Sequence, residues 1–160
     1  MDAVDLQTLA SELRADVRLA VSAVDLARQR FAEGTPAARD SAAHHVSRSY
    51  NVIEQLALRV AKAFENNIDD ERGWHTELLR RLSLRIEGVR PALFDDGLRQ
   101  SLQELRAFRH VFVHAYDLTI DPDKLALVLK YAHVVAERLP ELVDQFLMTV
   151  AEDQDLEPPK

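Results

Sequence analysis

The chain has no cysteine, four glycines among 160 residues, only 6% aromatic side chains, and no uninterrupted run of eighteen apolar residues. Without cysteine there are no disulfides, no thiolate zinc sites and no cysteine nucleophile, so stability must come from packing. Without a long apolar run there is no membrane-spanning helix to expect. The first twenty residues carry Asp2, Asp5, Glu12 and Asp16 in an amphipathic pattern, where a secretory leader would have a basic end followed by an apolar stretch. The expectation is a soluble, cytoplasmic protein with no membrane partner. Strand-type alternation, internal repeats and a glycine-rich phosphate loop are also missing. What is present is 47% apolar content, enough for one core. A single domain is expected over residues 1–150, with 151–160 an acidic tail too poor in apolar surface to order.

The formal charge of -7 argues against a broad nucleic-acid-binding coat, but its distribution is uneven. Between Arg72 and Arg109 eight basic residues face five acidic ones, a local +3 that leaves -10 for the rest. The one basic stretch ends at Arg109.

Apolar periodicity predicts helices throughout. Leu6, Leu9, Leu13, Val17, Val21, Val24 and Phe31 mark a long helix over about 5–32, stopped by Gly34. Thr35-Pro36 supplies an N-cap and a first helical position for a second, carried by Ala42, Val46, Tyr50, Ile53, Leu56, Val60 and Phe64 and antiparallel to the first. Trp74, Leu78, Leu79, Leu82 and Ile86 define a shorter helix closed by Gly88 and Pro91. Asp95 or Asp96 caps a fourth, with Leu98, Leu102, Leu105, Phe108 and Phe112 as its seam. Asp121-Pro122 opens a fifth that is expected to kink at Pro140. The predicted fold is all-α, a bundle of about five helices.

The fourth helix delivers Arg109-His110-Val111-Phe112-Val113-His114-Ala115-Tyr116, a permanent cation, two imidazoles and a phenol in eight residues before a helix break. At about 100° per residue, Arg109 and Tyr116 share a face while His114 lies about 140° from Arg109. Arg109 and His114 converge only if the last turn loosens. An arginine and a histidine without cysteine or a carboxylate pair suit phosphodiester cleavage by a ribose 2′-hydroxyl. The substrate carries its own nucleophile, His114 moves protons near neutral pH, and the Arg109 fork binds phosphate oxygens without losing its charge. Replacing either residue is expected to abolish cleavage and leave the fold intact.

The motif Arg109-x-x-x-x-His114-x-Tyr116, on the penultimate helix of an all-α domain, resembles that of HEPN-superfamily ribonucleases, specifically HepT-like toxins. The polar residue after the arginine, His110, fits the same pattern. The resemblance implies an HEPN-like bundle and a metal-independent endoribonuclease acting on RNA, with catalytic Arg109 and His114, a site-lining His110 and no cofactor. It further implies a homodimer whose two motifs share one cleft, and a nucleotidyltransferase antitoxin that silences the toxin by adding AMP to Tyr116.

Other readings stand beside this one. His110 and His114 have the spacing of a zinc pair, but no carboxylate intervenes and no third ligand is placed, so no metal site is assigned. A metal-dependent helical-bundle enzyme and a non-catalytic HEPN-type domain that binds nucleotide, RNA or protein are the alternatives. Tyr116 taken alone reads as a core cap with a surface hydroxyl. Glu54 reads equally as a group that orients an imidazole or as part of a solvated face. His44, His45, His75 and His133 read as structural or exposed, and Trp74 as a core anchor.

Overall fold

The structure, a computed structural model, describes residues 1–65, 74–114 and 119–159, with only the backbone described for 74–76. Among them are five helices and no strand: α1 (Ala3–Ala32), α2 (Pro36–Phe64), α3 (Trp74–Leu82), α4 (Asp96–His114) and α5 (Pro122–Asp153). The all-α bundle of about five helices expected from periodicity is the observed architecture, and it is consistent with the HEPN-like bundle that the resemblance implies.

Helix starts follow their capping signals. Asp2 and Asp5 form a reciprocal capping box at α1. The Thr35 hydroxyl accepts from the Ala38 N–H at 3.1 Å, with Pro36 in the first turn of α2. Between these helices Gly34 takes φ 74°, a left-handed turn that a side chain would resist. Asp95 caps α4 by accepting from the Leu98 N–H at 2.8 Å, and Asp121 caps α5 through the Asp123 N–H at 2.9 Å. α5 is continuous through Pro140.

α1 and α2 pack along one another as an antiparallel hairpin, pinned across by Arg59 to Asp16 at 2.9 Å. α2 is the central element, in contact with all four other helices. Its Tyr50, Ile53, Leu56, Ala57 and Val60 are fully buried beside Leu98, Leu102 and Leu105 of α4 and Leu125, Leu139 and Val143 of α5.

One expectation is corrected. α3 ends at Leu82 instead of continuing through Ile86, because the carbonyls that continuation would use are taken from elsewhere. The wholly buried Arg90 guanidinium donates to the carbonyls of Arg81, Leu84 and Pro91 at 3.0, 3.0 and 3.2 Å. The Leu82 carbonyl accepts from the N–H groups of Leu93 and Phe94. Arg90 also grips Glu65 at 2.7 Å, and Arg81 pairs with the same carboxylate, so the connection after α3 is tied to the end of α2. Gly88, at φ 72°, turns the chain between Ile86 and Arg90 and does not close the helix.

At the C-terminus the described backbone runs to residue 159. α5 reaches Asp153, Asp155 adopts φ 53°, and the N–H groups of Asp155 and Leu156 return to the carbonyls of Glu152 and Ala151. This is a Schellman ending with aspartate where glycine is usual, and its apolar clasp is Leu156 against the core.

Candidate active site

The site begins on α2. Ser47, Tyr50, Glu54, Ala57 and Ala61 recur at three- and four-residue steps and are all buried, so α2 carries a carboxylate on its apolar face. Across from it, Arg109 of α4 directs one guanidinium nitrogen inward. Its Nη1 donates to Asn51 Oδ1 at 2.8 Å and to Glu54 Oε1 at 3.3 Å. The guanidinium carbon sits 5.0 Å from the centre of the Tyr50 ring, a cation–π contact. The Glu54 side chain is 6% exposed and that of Arg109 is 26% exposed, so the carboxylate is buried while its cation still reaches water. Glu54 is therefore not part of a solvated face. It is the counter-ion of Arg109.

Both of these hydrogen bonds use Nη1. Among the described residues Nε and Nη2 of Arg109 hold no hydrogen bond, so one edge of the planar fork is open to an incoming pair of oxygens. Burial first, and then the Glu54 carboxylate, push the Tyr50 phenol well above its usual range, opposed by Arg106 and Arg109. Tyr50 is thus a neutral, aromatic floor under the arginine.

His114 ends α4 and is exposed. Its Nδ1 lies 2.8 Å from the His110 carbonyl oxygen. A carbonyl only accepts, so Nδ1 carries the hydrogen and the Nε2 lone pair of the neutral ring is free to take a proton. His110 packs beside it, ring centres 4.5 Å apart and tilted 36°. α4 stays helical through His114, so the loosening that would swing the imidazole toward Arg109 does not occur within the described residues. Arg109 faces α2 while His114 and His110 form an imidazole pair at the exposed tip of α4. Tyr116 lies outside the described residues, as do the side chains of Trp74 and His75. His44 and His45 make an edge-on ring pair at 5.7 Å, and His133 lies between Arg28 and Glu137.

Among the described residues no group of three or more His, Asp or Glu side chains is arranged to hold a metal ion. A cleft of about 620 Å³ between the start of α1 and the end of α2, lined by Asp5, Glu12, Arg59 and Lys62, holds none of the motif. Asn51 and Tyr50 are the members of the Arg109 site that sequence reasoning passed over, since they lie 58 and 59 positions from Arg109. The legible signal was Glu54 itself, an acid in register with buried positions.

A family model described as HepT-like protein matches residues 41–150, from the first turns of α2 to the last of α5. The chain belongs to the HepT-like family. That span contains Tyr50, Asn51, Glu54 and the whole Arg109–Tyr116 motif of this HepT-like protein, and leaves out α1. No curated protein and no solved structure matches the chain. Family membership points to a function of the HEPN toxin type. No helix among the described residues is long and apolar enough to cross a membrane.

Proposed function

We propose that this HepT-like protein is a metal-independent endoribonuclease toxin that cleaves RNA by attack of the ribose 2′-hydroxyl, working as a homodimer. The observation that carries the reading is the state of Arg109. It is fixed from behind by Asn51, Glu54 and Tyr50, with its Nε and Nη2 edge uncommitted among the described residues and its side chain 26% exposed. A guanidinium held this way is pre-oriented for the equatorial oxygens of a phosphorane, where it offsets the added negative charge.

The proton steps fall to His114. Nε2 of one chain takes the 2′-hydroxyl proton as the 2′-oxygen attacks phosphorus. The 5′-oxygen leaves with its bonding electrons and takes a proton from the protonated His114 of a second copy. The products are a 2′,3′-cyclic phosphate and a free 5′-hydroxyl. One chain holds its arginine and its imidazole on different faces of α4, and two-fold pairing of α4 tips brings the missing groups together. Tyr116, two residues beyond His114, is assigned as the acceptor of AMP from a nucleotidyltransferase antitoxin, whose added phosphate would repel RNA from the cleft.

The test is RNA cleavage in EDTA with end-group analysis. Cyclic phosphate ends are expected. His114→Ala is expected to lower the rate roughly 10²–10⁴-fold, and Arg109→Ala roughly 10²–10³-fold. Activity that vanishes in EDTA and returns with a divalent ion overturns the mechanism. Intact-mass spectra after co-expression with the antitoxin should show one AMP on Tyr116, and a silenced toxin without an adduct rejects that control.

A further inference from the structure

The outward ridge of α2 differs in charge from the rest of this acidic protein. At 100° per residue His44, Arg48, Asn51 and Gln55 fall within about 60° of one another, and all four are exposed. No carboxylate interrupts them. Arg48 has no hydrogen bond or ion pair among the described residues, whereas most arginines of the chain are committed. Asn51, one turn further along, is the residue that holds Arg109. The ridge therefore runs into the candidate active site, and His44 to Asn51 spans about 10 Å at 1.5 Å per residue.

The two ends of the ridge are not equivalent. Past Gln55, Arg59 is claimed by Asp16 at 2.9 Å and Glu12 at 3.4 Å of α1, and Lys62 lines the same cleft as Asp5 and Glu12. That end presents carboxylates. At the other end the half-buried His45 has its pKa lowered by burial first, then by His44, Arg48 and Arg30, all of them cationic groups when charged. Glu33 offsets Arg30 at 2.9 Å, and Asp40 lies one turn before His44.

We propose that the His44–Arg48–Asn51 ridge of α2 is a backbone-binding track that leads single-stranded RNA away from Arg109, running toward the N-terminal end of α2 and not toward Arg59. This rests on the ribonuclease reading of the Arg109 site. Arg48 supplies the phosphate cation, His44 supplies a hydrogen bond, and the carboxylates around Arg59 set the direction by repulsion. A track without base-reading groups gives affinity that is insensitive to sequence and sensitive to salt.

The experiment measures binding of the full chain to a fully 2′-O-methylated twelve-nucleotide RNA, which cannot be cleaved, at several salt concentrations. It is run beside cleavage of a dinucleoside monophosphate, whose single phosphate sits at Arg109 and leaves none for Arg48. Arg48→Ala should weaken oligonucleotide binding roughly fivefold and lower the salt slope by about 0.7, the value for one phosphate contact on a single strand. Lys124→Ala, which removes a charge on α5, should change neither quantity. Dinucleotide cleavage should be unaltered in both variants. If the wild-type chain binds and Arg109→Ala abolishes binding while Arg48→Ala does not alter it, the track is wrong and the active-site reading stands. If binding depends on Arg48 but no RNA is cleaved, the track stands and the nuclease reading falls. A wild-type chain that binds no oligonucleotide overturns both.

Discussion

Arg109 serves two purposes, and they separate experimentally. Sequence reasoning makes it a catalytic cation whose removal spares the fold, but it is the counter-ion of a carboxylate only 6% exposed. Arg109→Ala removes a charged donor from that buried acceptor, a loss of about 1–3 kcal/mol. A urea melt should show this loss, and Arg109→Ala combined with Glu54→Gln should recover part of it, since a neutral amide is cheaper to bury than a carboxylate that has lost a cation. An Arg109→Ala melt indistinguishable from wild type would show that the pair contributes nothing. Glu54→Gln alone retains an acceptor for Nη1 but weakens the grip, so it should lower the cleavage rate with a smaller effect on oligonucleotide affinity. Glu54 is a positioning residue in this scheme.

At the scale of elements, α4 is held at its start by Asp95, which both caps the helix and pairs with Arg138 of α5. The Leu98 N–H first of all, helped by Arg138, holds the Asp95 carboxyl below its ordinary value of 3.8. A depressed folded-state pKa means that this stabilisation is present above pH 3.8 and is lost as pH falls through the lower folded value. Asp95→Ala should therefore cost about 1 kcal/mol at neutral pH, with the gap to wild type narrowing in acid. Equal gaps at neutral pH and in strong acid in thermal melts would contradict the cap's role. The effect should reach the site, because Asp95 anchors the first turn of the helix whose later turns carry Arg109 and His114.

For the whole molecule, the tip of α4 raises the question of a second copy. Val111 and Val113 are 54% and 61% exposed, and Phe108 and Phe112 stack at 5.9 Å with their faces only partly covered by the core. Apolar surface beside the His114 imidazole is what a two-fold interface would cover. Light scattering should give twice the chain mass of 18.1 kDa, and Val111→Asp with Val113→Asp should give monomers of lower cleavage activity. Mixed dimers of wild-type and His114→Ala chains should cleave far more slowly than wild-type dimers. A fully active monomer at nanomolar concentration would remove the need for a shared cleft.

Periodicity and capping residues by themselves determined the five helices, the Gly34 turn and the Asp121-Pro122 start, because these depend on interactions within a few residues. The motif Arg109, His114 and Tyr116 was legible for the same reason, as a local spacing. Three features were decided only by tertiary contact. The early end of α3 is imposed by Arg90, which takes helix carbonyls from a position eight residues beyond Leu82. The clasp that closes α5 depends on Leu156 meeting the core. The partnership of Glu54 with Arg109 joins positions 55 apart. No local pattern encodes which of several carboxylates a half-buried guanidinium will meet, because that is fixed by how α2 and α4 cross, and the crossing is set by packing of the whole bundle.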